Sequence, residues 1–334
     1  MNDRSLHAAA LVALGVALVA CLAADHASAY CRMSTEGGAQ IGDSACTERG
    51  ELLFWNNPCL SYAVDSRGSQ WMDLADIETA VDASFETWEE ADCGGSTPNL
   101  IFKPSLTPST CQRAEFNTTG NVNTIAFLNP WRNPCADPDD PGYEPKALAV
   151  TIVWHNTATG EILDADMMIN DQQTTTRNAG GPYANCPDEG CLPPDYAGDA
   201  DLASIVTHEA GHFIGIGHSD VAEATMFALA ERESVQKRIL AQDDIDAVCA
   251  IYPPGNLDDT CTAIPMGGLQ LNCETTSSGD EILCDDPASV PTNGGGCSAC
   301  TTAQSPGDGW VTLLFALFGL TVLRRRARRP DARS

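Results

Sequence analysis

The chain has 334 residues, with 18 Lys plus Arg against 46 Asp plus Glu and a formal net charge of −28. A nucleic-acid surface needs clustered Lys and Arg, so this balance excludes a nucleic-acid partner. The acid excess favours solubility and weakens attraction to anionic surfaces, and it is neutral on the question of a peptide substrate.

At the N-terminus Arg4 precedes an apolar run from Ala8 to Ala24 and then "ASA" at 27 to 29, the pattern of a secretory signal cut before Tyr30. "LVAC", Leu18 to Cys21, offers a competing lipobox-like cut that would leave Cys21 as a lipidated first residue. Either cut exports the protein; the small-x-small site directly before Tyr30 and Cys31 favours the first. Fifteen cysteines, twelve of them between Cys31 and Cys284, read as disulfides in an exported chain. Cys186 and Cys191 are close enough in sequence for a local clasp. Residues 1–29 are assigned to the signal and 30–56 to an irregular, cysteine-bearing segment packed on the main domain.

"LSYAVD" at 60 to 65 alternates apolar and polar residues and predicts a strand. Leu74, Ile77, Val81, Phe85 and Trp88 recur at spacings of three and four, predicting a helix over 73–91. "LIFK" at 100, "TIAFL" at 124, "ALAVTIVW" at 147 and "EILDADMMI" at 161 supply four more strands, the last two joined by the turn "NTATG". A Pro-, Asp- and Gly-rich stretch over 172–198 follows.

"THEAGHFIGIGHSD", 207 to 220, holds three of the six histidines. On a helix His208 and His212 lie about 40° apart and one turn apart, sharing a face. Had the helix continued, His218 would sit about 15 Å beyond His208 and face roughly 80° away. Gly215, free to take positive φ, can end the helix and let His218 fold back. Three neutral nitrogen ligands then surround one point with a fourth position for water, the pattern of a catalytic zinc site. Glu209, offset around the helix, reaches that water without ligating the metal and is the natural general base.

"AQDDIDAVCAIY" at 241 to 252 predicts a closing helix that Pro253 and Pro254 end. The order of strand, helix, four strands, helix and helix predicts an α+β domain over residues 57–254. Residues 255–296 change to Gly, Thr, Ser, Asp and Cys and read as a disulfide-tied linker or stalk. The apolar run from Trp310 to Leu323 spans roughly 21 Å as a helix, short of a ~30 Å bilayer core, and "RRRARR" follows it. Residues 297–334, with Gly296 and Cys297 before the apolar run, resemble the MYXO-CTERM sorting tails of myxobacterial surface proteins. That resemblance implies processing near Cys297 and retention at the cell surface; a simple membrane anchor is the other reading.

The string His208, Glu209, His212, Gly215, His218 is the complete metzincin signature H-E-x-x-H-x-x-G-x-x-H. "ATMFA" at 224 to 228 resembles the Met-turn, and "LAQDDIDAVCAIYP" is similar to the closing helix of the matrixin branch. "LSYAV", the long helix ending "FETWEEA" and then "LIF" match that branch's opening elements. The resemblance implies a twisted, mixed five-stranded sheet with a long N-terminal helix, an active-site helix and a C-terminal helix. It also implies one catalytic Zn2+, Met226 as packing support beneath the metal, and a sheet edge at Leu148, Ala149 and Val150 on which an extended substrate adds as a strand. Structural Ca2+ is a further expectation, with "ADPDDPG" at 136 to 142 and "DADM" at 164 to 167 as oxygen-rich candidates. No P-R-C-G-like motif is present. Cys59 in "NPCLSY" stands where a disulfide partner fits better than a switch thiolate, and His155 alone is left for a second zinc, which is therefore not expected. The expected activity is that of a secreted or surface-retained monomeric zinc endopeptidase acting on proteins. The alternative is a non-catalytic adhesive protein on the same scaffold; an intact Glu209 argues against it.

Overall fold

The structure is a computed structural model that describes residues 30–36, 49–132, 143–172, 181–191, 199–258, 260–273 and 295–302, the last by backbone alone. The signal region, the loop 136–142 and the apolar C-terminal run lie outside the described residues.

Four strands, β1 (Cys59–Val64), β2 (Ile101–Pro104), β3 (Thr124–Leu128) and β5 (Ile162–Asn170), run parallel in the order β2-β1-β3-β5. β4 (Ala149–Asn156) is antiparallel to β5, as expected from the short "NTATG" turn that joins them. This is the mixed five-stranded sheet that the family resemblance implies. A two-stranded pair, β6 (Tyr183–Ala184) and β7 (Ala200–Asp201), leads into the histidine helix.

The helices α1 (Leu74–Glu89) and α2 (Leu202–Phe213) pack on one face of the sheet. Their apolar stripes supply Ile77, Val81, Phe85, Trp88, Val206 and Phe213, all 1% exposed or less. The rings of Phe85 and Phe213 meet edge to face at 5.3 Å, and the indole N–H of Trp88 donates to Thr207 O at 2.8 Å. Burial of the aromatic face fixes α2 against α1. Alternation along the strands sends Val150, Ile152 and Met168 to the opposite face, where Trp131 and Tyr143 cover them. The closing helix α3 (Gln242–Ile251) buries Ala247 and Val248 and is tied to the α1–β2 loop by the Cys93–Cys249 disulfide.

The flanking segments are built into the domain. Met33 N–H donates to Gly215 O and Leu53 N–H to Met33 O, each at 2.9 Å, so the described residues 30–36 and 49–56 pack on the end of α2. Residues 255–258 and 260–273 are held by the Cys59–Cys261 and Cys111–Cys273 disulfides. Besides the short β6–β7 pair, one strand has no counterpart in the sequence reading. Residues Gly295–Thr302 form β8, antiparallel to β4 along its whole length. "GGCSACTT" shows no apolar alternation; what pairs it is the unpaired backbone edge of β4, which accepts a strand whatever its side chains.

Candidate metal centre

α2 begins at Asp201, whose carboxylate caps the helix by accepting from Ser204 N–H at 2.9 Å and pairs with Arg238. It ends at a left-handed glycine. Gly215 has φ +92°, Gly215 N–H donates to His212 O, and Ile216 N–H reaches back to Gly211 O at 2.9 Å. That bond pair is a Schellman motif, which requires the left-handed residue. A Cβ at Gly215 would also stand 2.8 Å from Leu53 O.

The reversal brings His218 to the other two histidines. Ring centroids are 4.9 Å apart for His208–His212, 4.8 Å for His212–His218 and 5.4 Å for His208–His218. One ligand atom from each lies within 4.8 Å of the other two. The Nε2 atoms of all three are buried without a hydrogen-bond partner. The far side of two rings is fixed: His208 Nδ1 donates to Thr225 O at 2.5 Å and His212 Nδ1 to Ile216 O at 2.8 Å. A carbonyl only accepts, so these bonds place the proton on Nδ1 and leave the Nε2 lone pair facing inward. Burial, reinforced by the Lys237 charge, holds His208 well below the ordinary histidine value. Burial and the charges on His218 and Lys237 do the same for His212, and His218 is lowered to about 4 by burial and Lys237. Three neutral imidazoles with orphaned, converging nitrogens fit a zinc ion and nothing in the protein itself.

Glu209 is fully buried beside them. Its Oε2 accepts from the Thr151 hydroxyl at 2.6 Å, and its Oε1 has no partner. Burial pushes its carboxyl up to about 8, against the lowering effects of Thr151 and Lys237. Met226 is 1% exposed and packs against Gly211, where a Cβ would fall 2.2 Å from its Sδ. The turn around it hangs from Asp244 of α3, whose carboxylate accepts from Thr225 N–H at 2.7 Å, Met226 N–H at 3.0 Å and Ala241 N–H at 2.8 Å.

Sequence reasoning missed Thr151, Asp244 and Lys237. Thr151 had a signal, as the one polar position within the run "AVTIVW". Lys237 and Asp244 had none, because their partners are backbone atoms set by tertiary packing. Ala149 and Val150 open β4, and Leu148 just before them lines a cavity of about 250 Å³ together with Ile205, Phe227, Leu229, Arg232 and Lys237.

The sequence profile of the matrixin family matches residues 54–253, more than half of the chain. Metalloendoproteinase 5-MMP of Arabidopsis thaliana is 44% identical over 52 residues, 16% of this chain and 14% of that protein. Metalloendoproteinase 1 of Glycine max is 42% identical over 52 residues, 16% and 17% of the two chains. Interstitial collagenase B of Mus musculus is 33% identical over 92 residues, 26% and 20% of the two chains. The chain therefore spans a fifth or less of the length of these relatives. The sheet order, the three-histidine convergence at the end of α2 and the profile match over 54–253 together place the chain in the matrixin family.

Proposed function

We propose that the protein is a zinc-dependent endopeptidase that hydrolyses peptide bonds of protein substrates. The observation that carries this reading is the meeting of three unpartnered Nε2 atoms, from His208 and His212 on α2 and from His218 beyond its end, with the buried Glu209, whose Oε1 is also unpartnered, next to His208 in the chain. Buried polar atoms are almost always satisfied, so three orphaned nitrogens converging on one place, with an orphaned carboxylate oxygen on the residue after His208, describe a site built for atoms other than its own. His208, His212 and His218 would hold the zinc, and the chemistry the ion supplies when bound is Lewis-acid polarisation of a carbonyl and acidification of water.

Glu209 supplies the proton relay. Its carboxylate takes a proton from the water whose oxygen adds to the scissile carbonyl carbon. As the C–N bond breaks, the same carboxyl returns that proton to the leaving amine nitrogen. Thr151 keeps Oε2 occupied so that Oε1 faces the reaction. Met226 supports the ligands from below through Gly211. The substrate backbone adds to the edge of β4 at Leu148, Ala149 and Val150; support comes from β8, which already pairs antiparallel with that edge from Ala149 to Asn156. The cavity beside α2, mostly apolar in its lining, takes one substrate side chain.

Export belongs to the same reading. Disulfides join Cys59–Cys261, Cys93–Cys249, Cys111–Cys273 and Cys186–Cys191, as expected in an oxidising compartment. The signal at 1–29, the linker 255–296 and surface retention through 297–334 complete it. Structural calcium is proposed at Asp164 and Asp166, buried neighbours on β5 whose Asp164 Oδ2 has no partner.

The test is Glu209→Ala in the full chain. Zinc content and folded circular dichroism stay as in the wild type, and casein or gelatin cleavage falls by about 10²–10⁴-fold, the usual contribution of general acid–base catalysis. Undiminished cleavage would remove the assigned role. A wild type that binds zinc and cleaves nothing would favour the adhesive scaffold.

A further inference from the structure

Lys237 lies in the 3-10 turn Gln236–Arg238, and no feature of the sequence singled it out. It is 9% exposed, yet no carboxylate forms an ion pair with it among the described residues. Its Nζ donates instead to two backbone carbonyls of the turn that carries Met226: to Thr225 O at 2.7 Å and to Phe227 O. It also stands 3.1 Å from His208 Nδ1.

Thr225 O is the same atom that receives His208 Nδ1–H at 2.5 Å. One carbonyl oxygen thus has two donors, a metal-binding imidazole and a lysine amine. Thr225 returns the grip, its hydroxyl donating to Lys237 O at 3.3 Å and Ile239 O at 3.0 Å. A buried amine carries a desolvation cost that a methionine or leucine of similar bulk would not. Among the described residues, the acceptors of that amine are the two carbonyls of Thr225 and Phe227.

We infer that Lys237 is a positioning residue for the metal site: its amine clamps the Thr225 and Phe227 carbonyls and thereby fixes the acceptor that orients His208. This rests on the proposed zinc site. Lys237 also lines the cavity beside α2, so the wall of the substrate pocket and one zinc ligand belong to a single hydrogen-bonded unit. Loss of such an outer partner of a ligating histidine lowers metal affinity or activity by about 10–100-fold.

Lys237→Met, which keeps the bulk and removes the donors, tests this in the full chain, with Lys237→Arg as the variant that keeps donors. Zinc affinity is read by competition with a chelator, and ligand geometry by the visible absorption of the Co2+-substituted protein. In Lys237→Met zinc affinity falls about 10–100-fold, the Co2+ bands shift, and kcat drops more than KM rises. Lys237→Arg lies closer to the wild type on all three. If Lys237→Met does not fold, Lys237→Ala, which also removes the donors, is held to the same readouts. A folded donor-free variant with wild-type zinc affinity and unshifted Co2+ bands, whatever its melting temperature, overturns the inference and leaves the proposed function standing. A wild type that binds neither zinc nor Co2+ overturns both.

Discussion

Burial and a single hydroxyl act on the Glu209 carboxyl in opposite directions. Thr151 donates to Oε2 at 2.6 Å, and this bond opposes the upward push of burial on the carboxyl. Thr151→Val keeps the shape of the side chain and removes the donor. The Glu209 value then rises further, so the carboxylate is formed only at higher pH and the acidic limb of the kcat/KM profile moves to higher pH. A hydrogen bond to a charged group contributes about 1.5–3 kcal/mol, so kcat/KM at neutral pH should fall roughly tenfold or more. An unmoved acidic limb in stopped-time peptide assays would show that Thr151 does not tune Glu209. Gly215 is equally local. At φ +92° with Leu53 O close by, Gly215→Ala should lose about 2 kcal/mol of stability and lower Tm by several degrees. His218 would lose its approach to the other two rings, so zinc retained per chain after gel filtration should fall with it.

At the level of elements, the zinc helix and its turn were legible because the information is local. Two histidines at i and i+4, an acid between them and a glycine three residues on fix a face and a stop without reference to the rest of the chain. The five sheet strands and α1 were legible from alternation and from the 3.6-residue period, with ends displaced by a residue or two. β8 was not, since a strand recruited by a free backbone edge needs no pattern of its own. Nor was the burial of "DADM" on β5, where the outer face of the sheet is covered by the loop that carries Glu115 and Asn121. Asp166 accepts from Thr124 N–H at 2.7 Å and Glu115 N–H at 2.9 Å, and Asp164 from Asn121 Nδ2 at 2.5 Å. Burial holds both carboxyls well above the ordinary aspartate value of 3.8, and charge repulsion between them adds to it for Asp164. A raised folded-state value makes this contribution to stability complete below the unfolded value of ~3.9 and progressively lost as pH rises through the folded values. In calcium-free buffer, Asp164→Asn should therefore raise Tm at pH 7, with the gain shrinking towards pH 4. If the pair holds calcium as proposed, saturating Ca2+ stabilises the wild type by about 2.7 kcal/mol at a hundredfold excess over Kd. Asp164→Asn should show no such gain; equal calcium stabilisation of both proteins would place the ion elsewhere.

For the whole molecule, the chain beyond the matrixin-like domain returns to it twice. Cys261 and Cys273 carry it back to β1 and to the loop before β3, bonds that close loops with sequence separations of 202 and 162. Then β8 lies along β4, with position 300 paired to Thr151, whose hydroxyl holds Glu209. The edge proposed for substrate is thus covered by the chain's own backbone, and the two cannot occupy it together. A tethered segment competes at an effective concentration in the millimolar range, so a free peptide must displace it before adding as a strand. Competition of this kind raises KM and leaves kcat alone. A chain ending at Cys273 keeps the four disulfides above and lacks β8; it should show a KM several-fold lower than the full chain at unchanged kcat. Amide hydrogen exchange reports the same event without turnover, because residues 149–156 lose their outer partner and exchange faster in the shortened chain. Matching KM values and matching β4 exchange in the two chains would mean that β8 does not guard the cleft in solution, leaving the histidines, Glu209 and the pocket to act without it.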